Sequence, residues 1–201
     1  MFSKTEQLKN MIMTRQEKIN EIIKDTNKNY APYYDVLPNL IRERNYQSGI
    51  EIGVFCGGHA EKILETGCQL FGVDPYQMYE PGMPLLDSQE DWDMLFELVT
   101  KRLEKYNNFG MIRNDSQYAT WLLKNDCYDF VFIDGLHTYD QLKKDLDNFG
   151  FMIRKGGVIA CHDYNHGSFP DLTTAIDEFV AEHKANLVIA PLHMVYMTKT
   201  W

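Results

Sequence analysis

The chain has 201 residues, the size of one domain, and 44% of them are apolar, enough for a packed core. Its net charge of -9, with Lys and Arg spread along the chain rather than clustered, argues against a nucleic-acid partner. The polar N-terminus and the lack of a membrane-length apolar run predict a cytoplasmic protein with no signal peptide and no membrane contact.

In residues 4–24, Leu8, Met11, Ile12, Ile19, Ile22 and Ile23 recur at helical spacing among Lys, Glu and Gln, which predicts an amphipathic helix. Residues 1–44 thus read as an N-terminal helical extension, and residues 45–201 as the main domain. The apolar stripe of the extension must be buried on its own domain, over a site, or against a second subunit in a homodimer.

From Gly49 onward β-rich runs alternate with helical stretches. Strands are predicted near Ile50–Ile52, Leu70–Val73, Met111–Arg113, Phe130–Ile133, Val158–Cys161, Leu187–Ala190 and Met194–Met197. Helix starts are predicted near Ala60, at Asp87 with Glu90 three residues on, at Thr138 with Gln141 three on, and at Asp171 after Pro170. The turn around Pro191 is too short for a crossover helix, so the last strand should run antiparallel. The reading is an α/β, Rossmann-like doubly wound fold with a seven-stranded sheet, mostly parallel and with one antiparallel strand near the C-terminus. Cys56, Cys68, Cys127 and Cys161 show no C-x-x-C pairing and read as reduced thiols.

The first predicted strand runs into Glu51-Ile52-Gly53-Val54-Phe55-Cys56-Gly57-Gly58-His59. Its G-x-x-x-G-G spacing differs from the dinucleotide G-x-G-x-x-G. Gly53, Gly57 and Gly58 permit a tight turn and close ligand approach, and the helix N-terminus offers free N–H donors to a carboxylate. The second strand ends in Asp74, whose carboxylate can accept hydrogen bonds from both hydroxyls of a ribose. The third ends in Asn114-Asp115-Ser116, positioned for an adenine.

The fourth strand ends in Asp134-Gly135-Leu136-His137, and the fifth in Cys161-His162-Asp163-Tyr164-Asn165. Two carboxylates with nearby imidazoles and an amide can hold a divalent ion, and such an ion would acidify a substrate hydroxyl. A histidine with an ordinary pKa of ~6.5 suits proton removal near neutral pH, which singles out His137. The loops at Tyr76–Pro84, a candidate substrate lid, and at Asn165–Pro170 lie where substrate contacts are usual in doubly wound folds.

These residues carry a family resemblance. The glycine block resembles motif I of class I S-adenosylmethionine-dependent methyltransferases, and E-x-G-x-x-C-G is similar to that of catechol-type O-methyltransferases. F-I-D-G-x-H-x-Y followed by G-G-x-I-x-x-H-D-Y is similar to macrocin-type enzymes, which methylate sugars and natural products. The resemblance covers roughly residues 45–201 and implies O-methylation of a small-molecule hydroxyl. It implies that Glu51 and Gly53 line the methionine end of the cofactor, Asp74 holds the ribose, and Asp115 with Ser116 sits near the adenine, with Asp134 also on the cofactor side. It also implies a metal site at Asp134 and Asp163, for Mg2+ or another divalent ion, with His137 as base. Tyr164 departs from the family pattern, being a poor magnesium ligand, and His162 or Asn165 can take its place. The competing readings are a nicotinamide-dependent oxidoreductase, disfavoured by the glycine spacing and by the expectation of no Tyr-x-x-x-Lys pair, and a noncatalytic cofactor-binding protein.

Overall fold

The structure, a computed structural model, describes residues 14–79 and 86–201. Residues 4–13 of the predicted first helix and residues 80–84 of the candidate lid lie outside the described residues. The described part of that first helix, α1, spans Arg15–Tyr30. It starts at a capping box: Glu17 N donates to Thr14 Oγ1, while the Glu17 carboxylate accepts from Thr14 N. A second helix that the spacing did not predict, α2 (Val36–Arg44), follows and ends at Asn45 in the left-handed conformation.

The strands are β1 (Ser48–Ile52), β2 (Gln69–Val73), β3 (Phe109–Ile112), β4 (Tyr128–Ile133), β5 (Ile153–Cys161), β6 (Leu187–Ile189) and β7 (Val195–Thr198). They form one seven-stranded sheet in the order β3-β2-β1-β4-β5-β7-β6. β1 to β5 pair in parallel, and β7 runs antiparallel to both β5 and β6, as the short Pro191 turn requires. The order reverses between β1 and β4, which opens a crevice at the carboxyl ends of these strands.

Helices cover both faces, which is why the central strands are apolar on successive residues rather than on alternate ones. Ile50, Ile52, Val131, Ile133 and Ile159 pack against α5 (Ser116–Ala119), α6 (Tyr139–Met152) and α7 (Pro170–His183). Phe130, Phe132, Val158 and Ala160 face the other way, toward α1, α2, α3 (Gly58–Leu64) and α4 (Gln89–Leu103). Ile19 and Ile22 of α1 belong to this second core and Ile23 packs against it, so the described part of the stripe is buried on the chain's own domain.

Two predicted helix starts shift. The cap of α4 is Ser88, whose Oγ accepts from Asp91 N, whereas Asp87 is spent on Lys18. Helix α7 begins at Pro170, so Asp171 lies in its first turn. Thr138 does precede α6, without a side-chain cap bond. The four cysteines are free thiols, with Cys127 exposed and the other three buried. Among the described residues, no helix is long and apolar enough to cross a membrane.

Candidate active site

The loop after β1 is fixed before any ligand is considered. Gly53 has φ +87°, and a Cβ there would stand 2.0 Å from the carbonyl oxygen of Asp134, so the loop and the end of β4 meet backbone to backbone. Gly57, also left-handed, precedes α3. A Cβ on Gly58 would fall 2.0 Å from Asn27 Oδ1, so this third glycine makes room for α1.

Each acid predicted at a strand end lines one cavity with Gly53 to Cys56 of this loop, which Gly57 and Gly58 do not line, but the acids are partnered very differently. Asp74 is buried, and its carboxylate accepts main-chain N–H bonds from Val54 (3.0 Å), Phe55 (2.9 Å) and Tyr76 (2.8 Å). Burial raises its pKa, and those three donors oppose the rise. Asp115 caps α5 by accepting from Tyr118 N at 2.7 Å. Ser116 Oγ donates to the buried Asp145 (2.6 Å), which also accepts from Gln141 Nε2 at 3.0 Å. Burial pushes the Asp145 carboxyl up to about 6, against the pull of those two hydrogen bonds.

Glu51, 1% exposed, pairs with His59 Nδ1 at 2.8 Å, and burial raises its pKa against that bond. Its Oε2 and His59 Nε2 are buried and find no hydrogen-bond partner among the described residues. With the proton on Nδ1, Nε2 is an acceptor, so both atoms suit an ammonium such as that of an amino-acid end.

At the ends of β4 and β5 the polar groups face one another. His162 N continues the pairing by donating to Ile133 O (3.2 Å), and then Asp163 turns into the left-handed conformation at φ 61°, a turn that Asp tolerates. His137 Nε2 lies 3.3 Å from Asp134 Oδ1 and 3.2 Å from Asp163 Oδ2. His162 Nδ1 lies 3.2 Å from Asp163 Oδ1 and 3.8 Å from Asp134 Oδ1. Ligand atoms of Asp134, His162 and Asp163 all fall within 4.8 Å of one another, and carboxylate oxygen with imidazole nitrogen is a donor set that first-row divalent ions take. The chemistry of this donor set therefore fits such an ion. Burial lowers the pKa of His137, but the hydrogen bond to Asp134 and the charges of Asp134 and Asp163 outweigh it and hold the pKa above the ordinary value. The same balance raises His162, and the neighbouring imidazoles hold Asp163 low despite its burial. Tyr164 turns away to donate to Asp177 (2.9 Å), so His162 completes the cluster.

The cavity shared by these groups is about 2000 Å³, roomier than the roughly 300–1,000 Å³ of a single-ligand pocket. Its walls include four residues that sequence reasoning did not single out: Tyr33, His59, Gln141 and Asp145. His59 stands inside the quoted glycine block, so its position was a usable signal. Gln141 was legible only as the residue three after Thr138 at a helix start, and Asp145 only by its i, i+4 spacing from it. Contrary to the expectation of no Tyr-x-x-x-Lys pair, Tyr139 and Lys143 stand at that spacing, but both bind Glu178, at 2.5 and 3.1 Å, and neither lines the cavity.

Residues 50–164 match the model of a methyltransferase-domain family. An uncharacterised protein, R132, of Acanthamoeba polyphaga mimivirus is 26% identical over 167 residues, covering 76% of this chain and 69% of its own length. Among solved structures, a Corynebacterium glutamicum protein superposes with a TM-score of 0.65 at 17% identity, covering 99% of this chain and 98% of that one. The O-methyltransferase TomG of Streptomyces achromogenes, in complex with SAM, gives 0.65 at 13% identity, covering 97% and 95%. An O-methyltransferase of Bacillus cereus, in complex with SAH, gives 0.62 at 12% identity, covering 96% of each chain. These likenesses establish the Rossmann-like fold, the family model spans both the glycine loop and the β5 edge, and the chain belongs to the methyltransferase-domain family.

Proposed function

We propose that this enzyme methylates a hydroxyl oxygen of a small molecule such as a sugar, a phenol or a natural product, with a divalent ion at Asp134, His162 and Asp163. The observation that carries the reading is His137 Nε2, within 3.3 Å of carboxylate oxygens of Asp134 and Asp163, in the cavity that also holds the glycine loop. Proteins of the same fold whose structures contain SAM or SAH are named O-methyltransferases, which supports oxygen as the acceptor.

In this reading the loop from Gly53 to Gly58 and the unpartnered atoms of Glu51 and His59 hold the amino-acid end of S-adenosylmethionine, with Asp74 at the ribose and Asp115 and Ser116 beside the adenine. Bound there, the cofactor supplies an electrophilic methyl, and an ion at the β4–β5 edge would lower the pKa of the acceptor hydroxyl. His137 takes the hydroxyl proton at Nε2 as the oxygen attacks, and the two strand ends fix the distance between the two ligands. The raised pKa of His137 keeps it protonated to higher pH than an ordinary imidazole, so its activity as a base should be gained as pH rises through that value.

The test is calorimetry with S-adenosylhomocysteine, NADH and MnCl2, followed by transfer of labelled methyl from S-adenosylmethionine to a panel of hydroxyl compounds, with and without chelator. Binding of S-adenosylhomocysteine without NADH, and methyl transfer that falls with chelator or with Asp134→Asn, is the expected result. Binding of NADH alone would overturn the methyl-transfer reading. Transfer indifferent to both chelator and Asp134→Asn would overturn the ion.

A further inference from the structure

Tyr33 stands in the turn between α1 and α2, outside residues 50–164 of the family match, yet it enters the β4–β5 edge of the cavity. Its backbone is pinned by Tyr33 N donating to Tyr30 O and Val36 N donating to Tyr33 O, both at 3.1 Å. Its ring is 5% exposed, wedged edge-on against Tyr34 with centroids 4.9 Å apart, and stacked on the His162 imidazole at 4.4 Å and 28°. Its hydroxyl donates to Asp134 Oδ2 at 3.4 Å.

The two oxygens of Asp134 are therefore divided. Oδ1 faces His137 and His162, and Oδ2 faces the Tyr33 hydroxyl. A phenol, with an ordinary pKa of about 10, keeps its proton near neutral pH, so the hydroxyl is the donor to Asp134 Oδ2. Packing alone would be served by phenylalanine, because the ring contacts do not involve the hydroxyl. One side chain thus restrains two of the three candidate ligands, a carboxylate through its hydroxyl and an imidazole through its face. A hydrogen-bonding partner of this kind fixes the orientation of a ligand and keeps it available to the ion.

We propose that Tyr33 is a positioning residue that orients Asp134 and His162 for the divalent ion, which makes the N-terminal segment a working part of the active site. This inference rests on the reading that an ion binds at Asp134, His162 and Asp163.

The experiment uses the full chain and Tyr33→Phe, with Tyr33→Leu as a second variant, and measures affinity for MnCl2 and for S-adenosylhomocysteine by calorimetry together with thermal unfolding. Tyr33→Phe keeps the ring, so it should retain its folding transition and its S-adenosylhomocysteine affinity while binding Mn2+ about tenfold more weakly. Tyr33→Leu, which also removes the stack on His162, should weaken Mn2+ further. Wild-type Mn2+ affinity in Tyr33→Phe would overturn the inference and leave the ion site standing. Equal losses of Mn2+ affinity, S-adenosylhomocysteine affinity and thermal stability in Tyr33→Phe would also overturn it, by making the hydroxyl a structural group. A wild-type chain that binds S-adenosylhomocysteine but no Mn2+ would remove the ion reading and this inference together.

Discussion

The two ends of the cavity solve different electrostatic problems. At the glycine-loop end, Asp74 is held by three main-chain N–H donors and Asp145 by a hydroxyl and an amide, partners that carry no net charge and do not titrate. At the β4–β5 end, Asp134 and Asp163 are balanced mainly by two imidazoles, whose charge depends on pH. The partners of Asp74 and Asp145 at the first end keep the same charge at any pH, and Glu51, paired with the His59 imidazole, is the exception there. The second gathers like charges whose balance is set by whatever cation or proton is present. In the proposed function the first end would cradle the cofactor and the second would activate the acceptor hydroxyl.

Breaking the junction between the two ends should have the largest effect. Gly53→Ala places a methyl group 2.0 Å from the Asp134 carbonyl at φ +87°, so the loop and the end of β4 cannot both keep their positions. We expect a stability loss of more than about 3 kcal/mol and no measurable S-adenosylhomocysteine binding, read by urea unfolding and calorimetry. A variant with wild-type stability and binding would show that the close approach is not needed.

The contrast itself is tested by the same chemical change at each end. Asp74→Asn sets an amide N–H against at least one of the main-chain donors, and should cost about 1–3 kcal/mol of stability. Asp134→Asn removes one of two facing carboxylates. It should leave the unfolding midpoint near or above that of the wild type and reduce methyl transfer by about 10²-fold or more. It should also shift the rise of rate with pH toward lower pH, because the charge of Asp134 is one cause of the raised pKa of His137. If the two variants lost stability equally, the distinction between the ends would fail.

What was legible in the sequence follows the same division. Glu51, inside β1, was legible only through the resemblance of the glycine block, whereas Asp74, Asp115 and Asp134 could be placed because a β-rich run that stops at a polar residue marks the carboxyl edge of a parallel sheet. Tyr33 could not, because its partners Asp134 and His162 are more than a hundred residues away and only the docking of α1 and α2 brings them together. The cap of α4 shows the local version of that limit. Asp87 and Ser88 have equal capping chemistry, and a tertiary contact of Asp87 with Lys18 separates them.

Asp145 sharpens the comparison further, as a carboxylate whose neutral partners do not repay its burial. Its folded pKa of about 6 lies above the ordinary value of about 3.9. Stability linked to this group is fully present below about pH 4 and is lost as pH rises through about 6. Asp145→Asn keeps an acceptor for Ser116 and Gln141 and removes the buried charge, so it should stabilise the protein by about 2 kcal/mol at pH 8 and by little near pH 4. Urea unfolding at the two pH values reads the difference. A variant less stable than wild type at pH 8 would mean that the charged form is needed to hold Ser116.

The smallest effect is expected from the ion pairs between α1 and α4. Arg15 and Lys18 reach Asp91 at 3.0 and 2.9 Å, and Asp91 is nearly buried while both cations remain substantially exposed. An ion pair with a wet cation gains little, so Lys18→Met should cost about 0–1 kcal/mol, with most of that cost gone in high salt. Ile19, fully buried on the same helix, should cost about 2–5 kcal/mol when cut to Ala. Comparing the two by urea unfolding at low and high salt decides what docks the N-terminal segment. Near-equal, salt-dependent losses would mean that charge holds α1 in place. A large and salt-independent loss in Ile19→Ala alone would mean that apolar packing brings Tyr33 to Asp134, and that the adjustable edge depends on the core beneath it.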